Sequence, residues 1–153
     1  MSAVQNLRLK YVTRLAYGEP LPSEARLPGE VPVIGSSGIV GQHSVANARA
    51  PAVFVGRKGT LGGVTYSDRP AYCIDTAYYV DERHTGASLR WLYYALQTLN
   101  LEVESQHGGI PGLDRGVASE RTVPVPTLAV QRGIADFLDR KTAEIDALIG
   151  EKE

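Results

Sequence analysis

The chain has 153 residues, enough for one domain with its own core, and its 43% hydrophobic and 22% charged residues are those of an ordinary soluble protein. A formal net charge of −1 excludes a uniformly basic nucleic-acid-binding chain, and the single cysteine, Cys73, excludes an intramolecular disulfide framework and fits a reducing cytoplasm. No apolar run reaches the roughly 20 residues of a membrane span, and the opening MSAVQNLRLKYV lacks the regions of a signal peptide.

Residues 6–16, NLRLKYVTRLA, alternate apolar and polar positions and predict a strand, or a strand with a short turn. Residues 18–32, GEPLPSEARLPGEVP, are too rich in proline and glycine for a long regular element. VPVIGSSGIVGQHS then supplies two short strands around a Gly35-Ser36-Ser37-Gly38 turn. Three further strand candidates follow: AVFVG at 52–56, GGVTYS at 62–67 and AYCIDTAYYV at 71–80. The last is almost continuously apolar, as in a strand buried on both faces. SLRWLYYALQTLNLEVES, residues 88–105, predicts a helix. Leu89, Leu92, Tyr93, Leu96, Leu99 and Val103 recur at three- and four-residue steps behind a Ser88 N-cap, and the helix is expected to stop at His107-Gly108-Gly109. Residues 110–126 read as irregular or strand-like and close on Pro124-x-Pro126.

A second helix, residues 127–153, carries a stripe of Ile134, Leu138, Ile145 and Leu148, with Lys141 at the seam position between them. The expected fold class is α+β. A small strand-rich body with one packed helix covers residues 1–126, and a long C-terminal helix of coiled-coil type covers 127–153. That helix needs a partner, and the natural chain is expected to continue beyond Glu153.

Charge is unevenly spread. Residues 1–69 hold eight Lys or Arg against four Asp or Glu, whereas the tail from Ala135 is acidic. A near-neutral chain can therefore still present a positive face to an anion. VFVGRKGTLGGV, residues 53–64, places Arg57 and Lys58 between glycines inside the positive half. A P-loop needs its lysine followed by Ser or Thr at a helix start, but Lys58 is followed by Gly59 and a strand pattern. Gly56, Gly59 and Gly62 do not give the dinucleotide fingerprint either. A solvated hairpin turn and an anion-contacting loop both fit. The loop at 35–38 and Gly41-Gln42-His43-Ser44 offer small polar groups able to reach phosphates or base edges, although on chemistry alone a pair of ordinary turns is the favoured explanation.

His43, His84, His107 and Cys73 lack the paired spacing of a zinc site. Asp75-Thr76 reads as a structural hydrogen-bonding pair, and Tyr78 and Tyr79 point to opposite faces of a strand. There is no nucleophile elbow, no H-E-x-x-H and no carboxylate–carboxylate–lysine set of nuclease type.

In their order, LKYV (9–12), VPVIGSSGIVGQH (31–43), VFVGRKGTLGGV (53–64), CIDTAYYV (73–80), SLRWLYYALQTLNL (88–101) and GGIPGLDRGVASERTVPVPTLAVQRGIADFLDRKTAEIDALI (108–149) resemble the target-recognition half-unit of specificity subunits from type I restriction-modification systems. Each motif is short, but the ordered set covers nearly the whole chain. There are two departures. Val130 stands before Gln131 where the family commonly has an acidic residue, so no Thr127-x-x-Glu capping box forms. Gly133 sits in the helix start at a cost of about 1 kcal/mol against alanine.

The resemblance implies a non-catalytic chain, the DNA-reading part of a methyltransferase and endonuclease complex in the cytoplasm. The body would read one half of a split double-stranded DNA target. The helix would pack antiparallel, through Ile134, Leu138, Ile145 and Leu148, on that of a second recognition half-unit present in cis or as a homodimer. Methylation subunits would dock around the helices, and a restriction subunit would supply cleavage. S-adenosylmethionine, ATP and Mg belong on those partners, and no cofactor or metal is expected here. The expected DNA contacts are Arg57, Lys58, Gly59 and Thr60, with Ser36, Ser37, Gln42 and His43, and Gln106 and His107 beyond the first helix. The reading from another class is a protein-interaction module without DNA contact, assembled through its C-terminal helix.

Overall fold

A computed structural model describes residues 4–59, 62–101 and 112–152, with side chains as far as Gly150. Strand β5 (Ala52–Gly56) is buried along its whole length. The two-residue period of a strand sends its alternate side chains to opposite faces. Val53 and Val55 enter a core with Leu9, Leu15, Trp91, Leu92 and Leu96, while Ala52 and Phe54 enter a second core with Ile34, Ala48, Ala71 and Cys73.

β5 lies between β8 (Ala77–Val80) and β6 (Val64–Ser67), and β2 (Ala16–Tyr17) borders β8, all antiparallel. Helix α1 (Leu89–Gln97) packs on this sheet through the first core. A second sheet places β3 (Val31–Gly35) between β4 (Gly38–His43), antiparallel, and β7 (Tyr72–Cys73), parallel. The second core joins the two sheets. A separate antiparallel ribbon pairs β1 (Gln5–Arg8) with β9 (Thr122–Val125), and α3 (Leu128–Lys152) follows.

Three elements differ from expectation. The stretch 71–80 is two strands in different sheets, because a turn at 74–76 intervenes, closed by Ala77 N–H on Ile74 O at 3.2 Å. Burial of both strands makes the run continuously apolar, and the polar Asp75-Thr76 pair marks the break. Helix α1 begins as predicted, with Ser88 Oγ accepting from Trp91 N–H at 3.2 Å, but it ends at Gln97. Thr98 Oγ1 donates to Ala95 O at 2.7 Å, and Asn100 is left-handed at φ 51°. Leu99 and Leu101 stay buried past that end, so their spacing records core burial rather than helix length. Residues 102–105 of the expected helix lie outside the described residues. The segment read as irregular contains a short helix, α2 (Arg115–Ser119), whose Asp114 cap accepts from Val117 N–H at 3.0 Å.

The first turns of α3 are fixed to the body by polar groups. Gln131 is only 4% exposed. Its Oε1 accepts from Ser88 N–H at 2.8 Å and its Nε2 donates to Pro126 O at 2.8 Å, so one amide joins the starts of both long helices. Ala135 is buried beside it. Asp139 then accepts from Arg90 Nε at 2.8 Å and from the Tyr94 hydroxyl. Arg90 itself lies 4.5, 4.7 and 5.2 Å from the Tyr66, Tyr93 and Tyr94 ring centres.

Candidate nucleic-acid interface

The turn at 74–76 draws the two glycine loops together. Thr76 O accepts from Arg57 N–H at 2.8 Å and Lys58 N–H at 3.1 Å, and Thr76 Oγ1 accepts from Ser36 N–H at 3.2 Å. Gly59 has φ +74°, and a Cβ there would lie 3.1 Å from Ser36 Oγ. Glycine therefore serves both the backbone turn and the close approach of one loop to the other. The segment before α2 reaches the same place. Leu113 N–H donates to Arg57 O at 2.9 Å, and the Tyr78 hydroxyl donates to Leu113 O at 2.6 Å. Burial pushes the Tyr78 hydroxyl above its ordinary range against the opposing pull of Arg57, so it stays neutral there.

The side chains at this face are cationic and aromatic. Arg57, half-buried, donates through Nη1 to Asp75 O at 3.0 Å, and its guanidinium lies 5.1 Å from the Tyr17 ring centre. Arg115 donates through Nη1 to Leu15 O at 3.2 Å and lies 4.3 Å from the same ring. Lys58 is exposed. Among the described residues none of these three forms an ion pair, whereas Arg8, Lys10, Arg49 and Arg90 sit within 3.3 Å of a carboxylate. Among the described residues, the charge of these three side chains is therefore not neutralised by an ion pair.

The structure refines the loop's chemistry. The backbone N–H groups of Arg57 and Lys58 are used on Thr76 O, so those two residues offer an anion their side chains rather than their main-chain donors.

Of the expected contacts, Arg57, Lys58, Gly59 and Ser36 come together, with Ser37 exposed at the tip of the β3–β4 hairpin. Gln42 is exposed, and His43 is 5% exposed, but both stand at the far end of β4, roughly 13–17 Å from that tip at about 3.3 Å per residue. His43 Nδ1 accepts from Leu27 N–H at 3.0 Å, and its ring meets Tyr72 edge-on at 5.4 Å. Thr60, Gln106 and His107 lie outside the described residues. Tyr17 and Arg115 were missed by sequence reasoning. Nothing local marks Tyr17, and Arg115 is marked only by the Asp114 cap beside it.

Elsewhere, a polar cluster forms around Asp81, which is fully buried and accepts from Arg49 N–H at 2.8 Å, Arg83 N–H at 2.9 Å and Arg83 Nε at 3.0 Å. Burial alone would raise its carboxyl, but these donors hold it well below the usual carboxylate range. Among the described residues no group of three or more His, Cys, Asp or Glu could hold a metal ion, and no helix is long and apolar enough to cross a membrane.

On α3, Ile134, Ile145 and Leu148 are 37%, 56% and 58% exposed. Leu138 lines a groove with Trp91, Tyr94, Ala95, Val123 and Pro124.

Comparison with curated protein sequences found no match. Among solved structures, the type I restriction-modification S subunit from M. genitalium matches with a TM-score of 0.81 and 21% identity, covering 98% of this chain and 42% of that one. The HsdS subunit from Thermoanaerobacter tengcongensis matches with a TM-score of 0.71 and 20% identity, covering 99% of this chain and 40% of that one. A chain from a structure addressing complex assembly and conformational transition of the type I R-M system matches at 0.74 and 18%, covering 95% and 40%. The chain thus spans about two fifths of the length of these relatives, and at such identities the likeness is one of fold. The sequence supplies the family: residues 1–153 match the type I restriction modification DNA specificity domain, and the chain belongs to that family.

Proposed function

We propose that this chain reads one half of a two-part double-stranded DNA target within a type I restriction-modification complex, through the surface formed by the loops at 35–38 and 56–59. The observation that carries this reading is the joining of both glycine loops on Thr76, which sets uncompensated Arg57 and Lys58 beside Ser36 on one rigid support. Exposed Lys58 suits a backbone phosphate, which fixes register, while Arg57 and the serines suit base edges. The chain itself carries out no chemistry. Methylation subunits supply S-adenosylmethionine chemistry and a restriction subunit the ATP- and Mg-dependent cleavage.

The exposed stripe on α3 supports the second part of the proposal. Ile134, Leu138, Ile145 and Leu148 pair antiparallel with the equivalent helix of a second half-unit, in cis or in a homodimer, and methylation subunits assemble around the pair. The same stripe would serve a pure interaction module, so DNA binding is the discriminating measurement. The complex assembled with methylation subunits is titrated, across a salt series, with the duplex it selects from a randomised pool. Lys58→Ala is expected to weaken binding and to reduce the slope of log K against log salt by about 1. Unchanged affinity and slope in the Arg57→Ala, Lys58→Ala double variant would refute the loop assignment.

A further inference from the structure

We infer that Arg115, held with Arg57 against the ring of Tyr17, grips a DNA backbone phosphate, at a place that neither glycine loop marks. The inference rests on the DNA-reading function proposed above and adds residues to that surface. Three observations carry it.

First, Arg115 is preorganised. Its guanidinium stacks 4.3 Å from the Tyr17 ring centre while Nη1 is tied to Leu15 O at 3.2 Å, which uses one of its five N–H donors and fixes the plane of the rest. A planar fork held in this way suits two oxygens of a phosphate, whereas a flexible ammonium meets an anion as a point charge.

Second, the charge is doubled and left open. The Arg57 guanidinium lies 5.1 Å from the same ring centre. Two like charges near one ring repel. Among the described residues none is ion-paired to either arginine. Asp114, the neighbouring acid, has Oδ1 on Val117 N–H as a helix cap. A phosphate gripped by Arg115 brings negative charge to that ring.

Third, the support is stiff and the ring is accessible. Leu113 links Arg57 O to the Tyr78 hydroxyl, and Tyr78 packs 5.4 Å from Tyr17, so both arginines share one framework. Tyr17 remains 47% exposed, so a ligand can reach the cations stacked on it.

The test uses the assembled complex and its selected duplex, with a scrambled duplex beside it. Arg115→Ala is expected to weaken binding of both duplexes by about tenfold and to lower the salt slope by about 1, leaving the preference between them unchanged. Arg115→Lys should keep the slope and recover part of the affinity. Tyr17→Ala should follow Arg115→Ala, and Tyr17→Phe should behave as the unsubstituted chain, because the ring rather than the hydroxyl holds the guanidinium.

Unchanged affinity and slope in Arg115→Ala, alongside a loss in Lys58→Ala, would overturn the inference while leaving the DNA-reading surface in place. Loss of preference at one base pair with the salt slope intact would make Arg115 a base reader and overturn the phosphate assignment. Absence of salt-dependent binding by the unsubstituted complex would remove the proposed function and this inference together.

Discussion

Replacement of Gln131 by alanine removes a side chain that joins the start of α1 to the start of α3. The amide is 4% exposed and makes two hydrogen bonds of 2.8 Å, to Ser88 N–H and to Pro126 O. Each such bond is worth about 1 kcal/mol net, and a buried partner left without a replacement adds about 1–3 kcal/mol. Ser88 is half-buried and regains water, whereas Pro126 is buried and does not. A loss of about 3 kcal/mol follows, equivalent to about 6–12 °C in Tm for a chain of this size. The assay is urea unfolding followed by circular dichroism, with hydrogen exchange of the Ser88 amide as a local readout. Gln131→Glu sharpens the comparison. It keeps an acceptor for Ser88 but sets a carboxylate oxygen against Pro126 O, so it should be at least as unstable at neutral pH and recover as the carboxyl protonates. A loss below about 1 kcal/mol in Gln131→Ala, with Ser88 exchange unchanged, would refute the bridging role.

A Cβ at Gly18 would lie 1.9 Å from Ile74 O, so Gly18→Ala should force the 74–76 turn to move, cost about 3 kcal/mol in urea unfolding and weaken DNA binding with it. The Asp81 carboxyl is held below its ordinary value when folded, so it contributes stability above about pH 4 and loses it as pH falls towards the folded value. Burial lowers His84 as well, and the unfolded chain takes up that proton first below about pH 6.5, which acts in the same direction. Unfolding midpoints should therefore fall on acidification, and Asp81→Asn should be less stable at pH 7 by a margin that narrows below about pH 4. Burial, with Asp75 nearby, pushes the Cys73 thiol up to about 12, so it should resist alkylation at neutral pH in the folded chain and react once urea exposes it.

What the sequence shows of this fold is what local periodicity carries. The strand at 52–56, the Ser88 cap and the α3 stripe are all written in residues a few positions apart. The break between β7 and β8 was hidden because strands of two different sheets both bury their side chains. The length of α1 was overread because Leu99 and Leu101 continue into the core after the helix has ended. The candidate site was legible only in part. Arg57 and Lys58 announce themselves by lying between glycines, but Tyr17 and Arg115 join them from segments about 40 and 58 residues from Arg57, and only the folded sheet brings them together. His43 shows the reverse case, since a polar residue two positions after a glycine looks available until the fold turns it inward, where it accepts from Leu27 N–H.

The contact of Asp139 with Arg90 and Tyr94 has a mechanical consequence. Past Asp139, α3 runs 13 more residues to Lys152, about 20 Å of lever at 1.5 Å per residue. A tilt of about 10° at that fulcrum swings the tip by about 3.4 Å, one base-pair step of B-DNA. In the assembly proposed above, where paired helices would gauge the separation of two half-targets, the aromatic seat of Arg90 would set the tolerance of that ruler. Loosening it would then blur the spacing while leaving untouched the loops proposed to read the DNA.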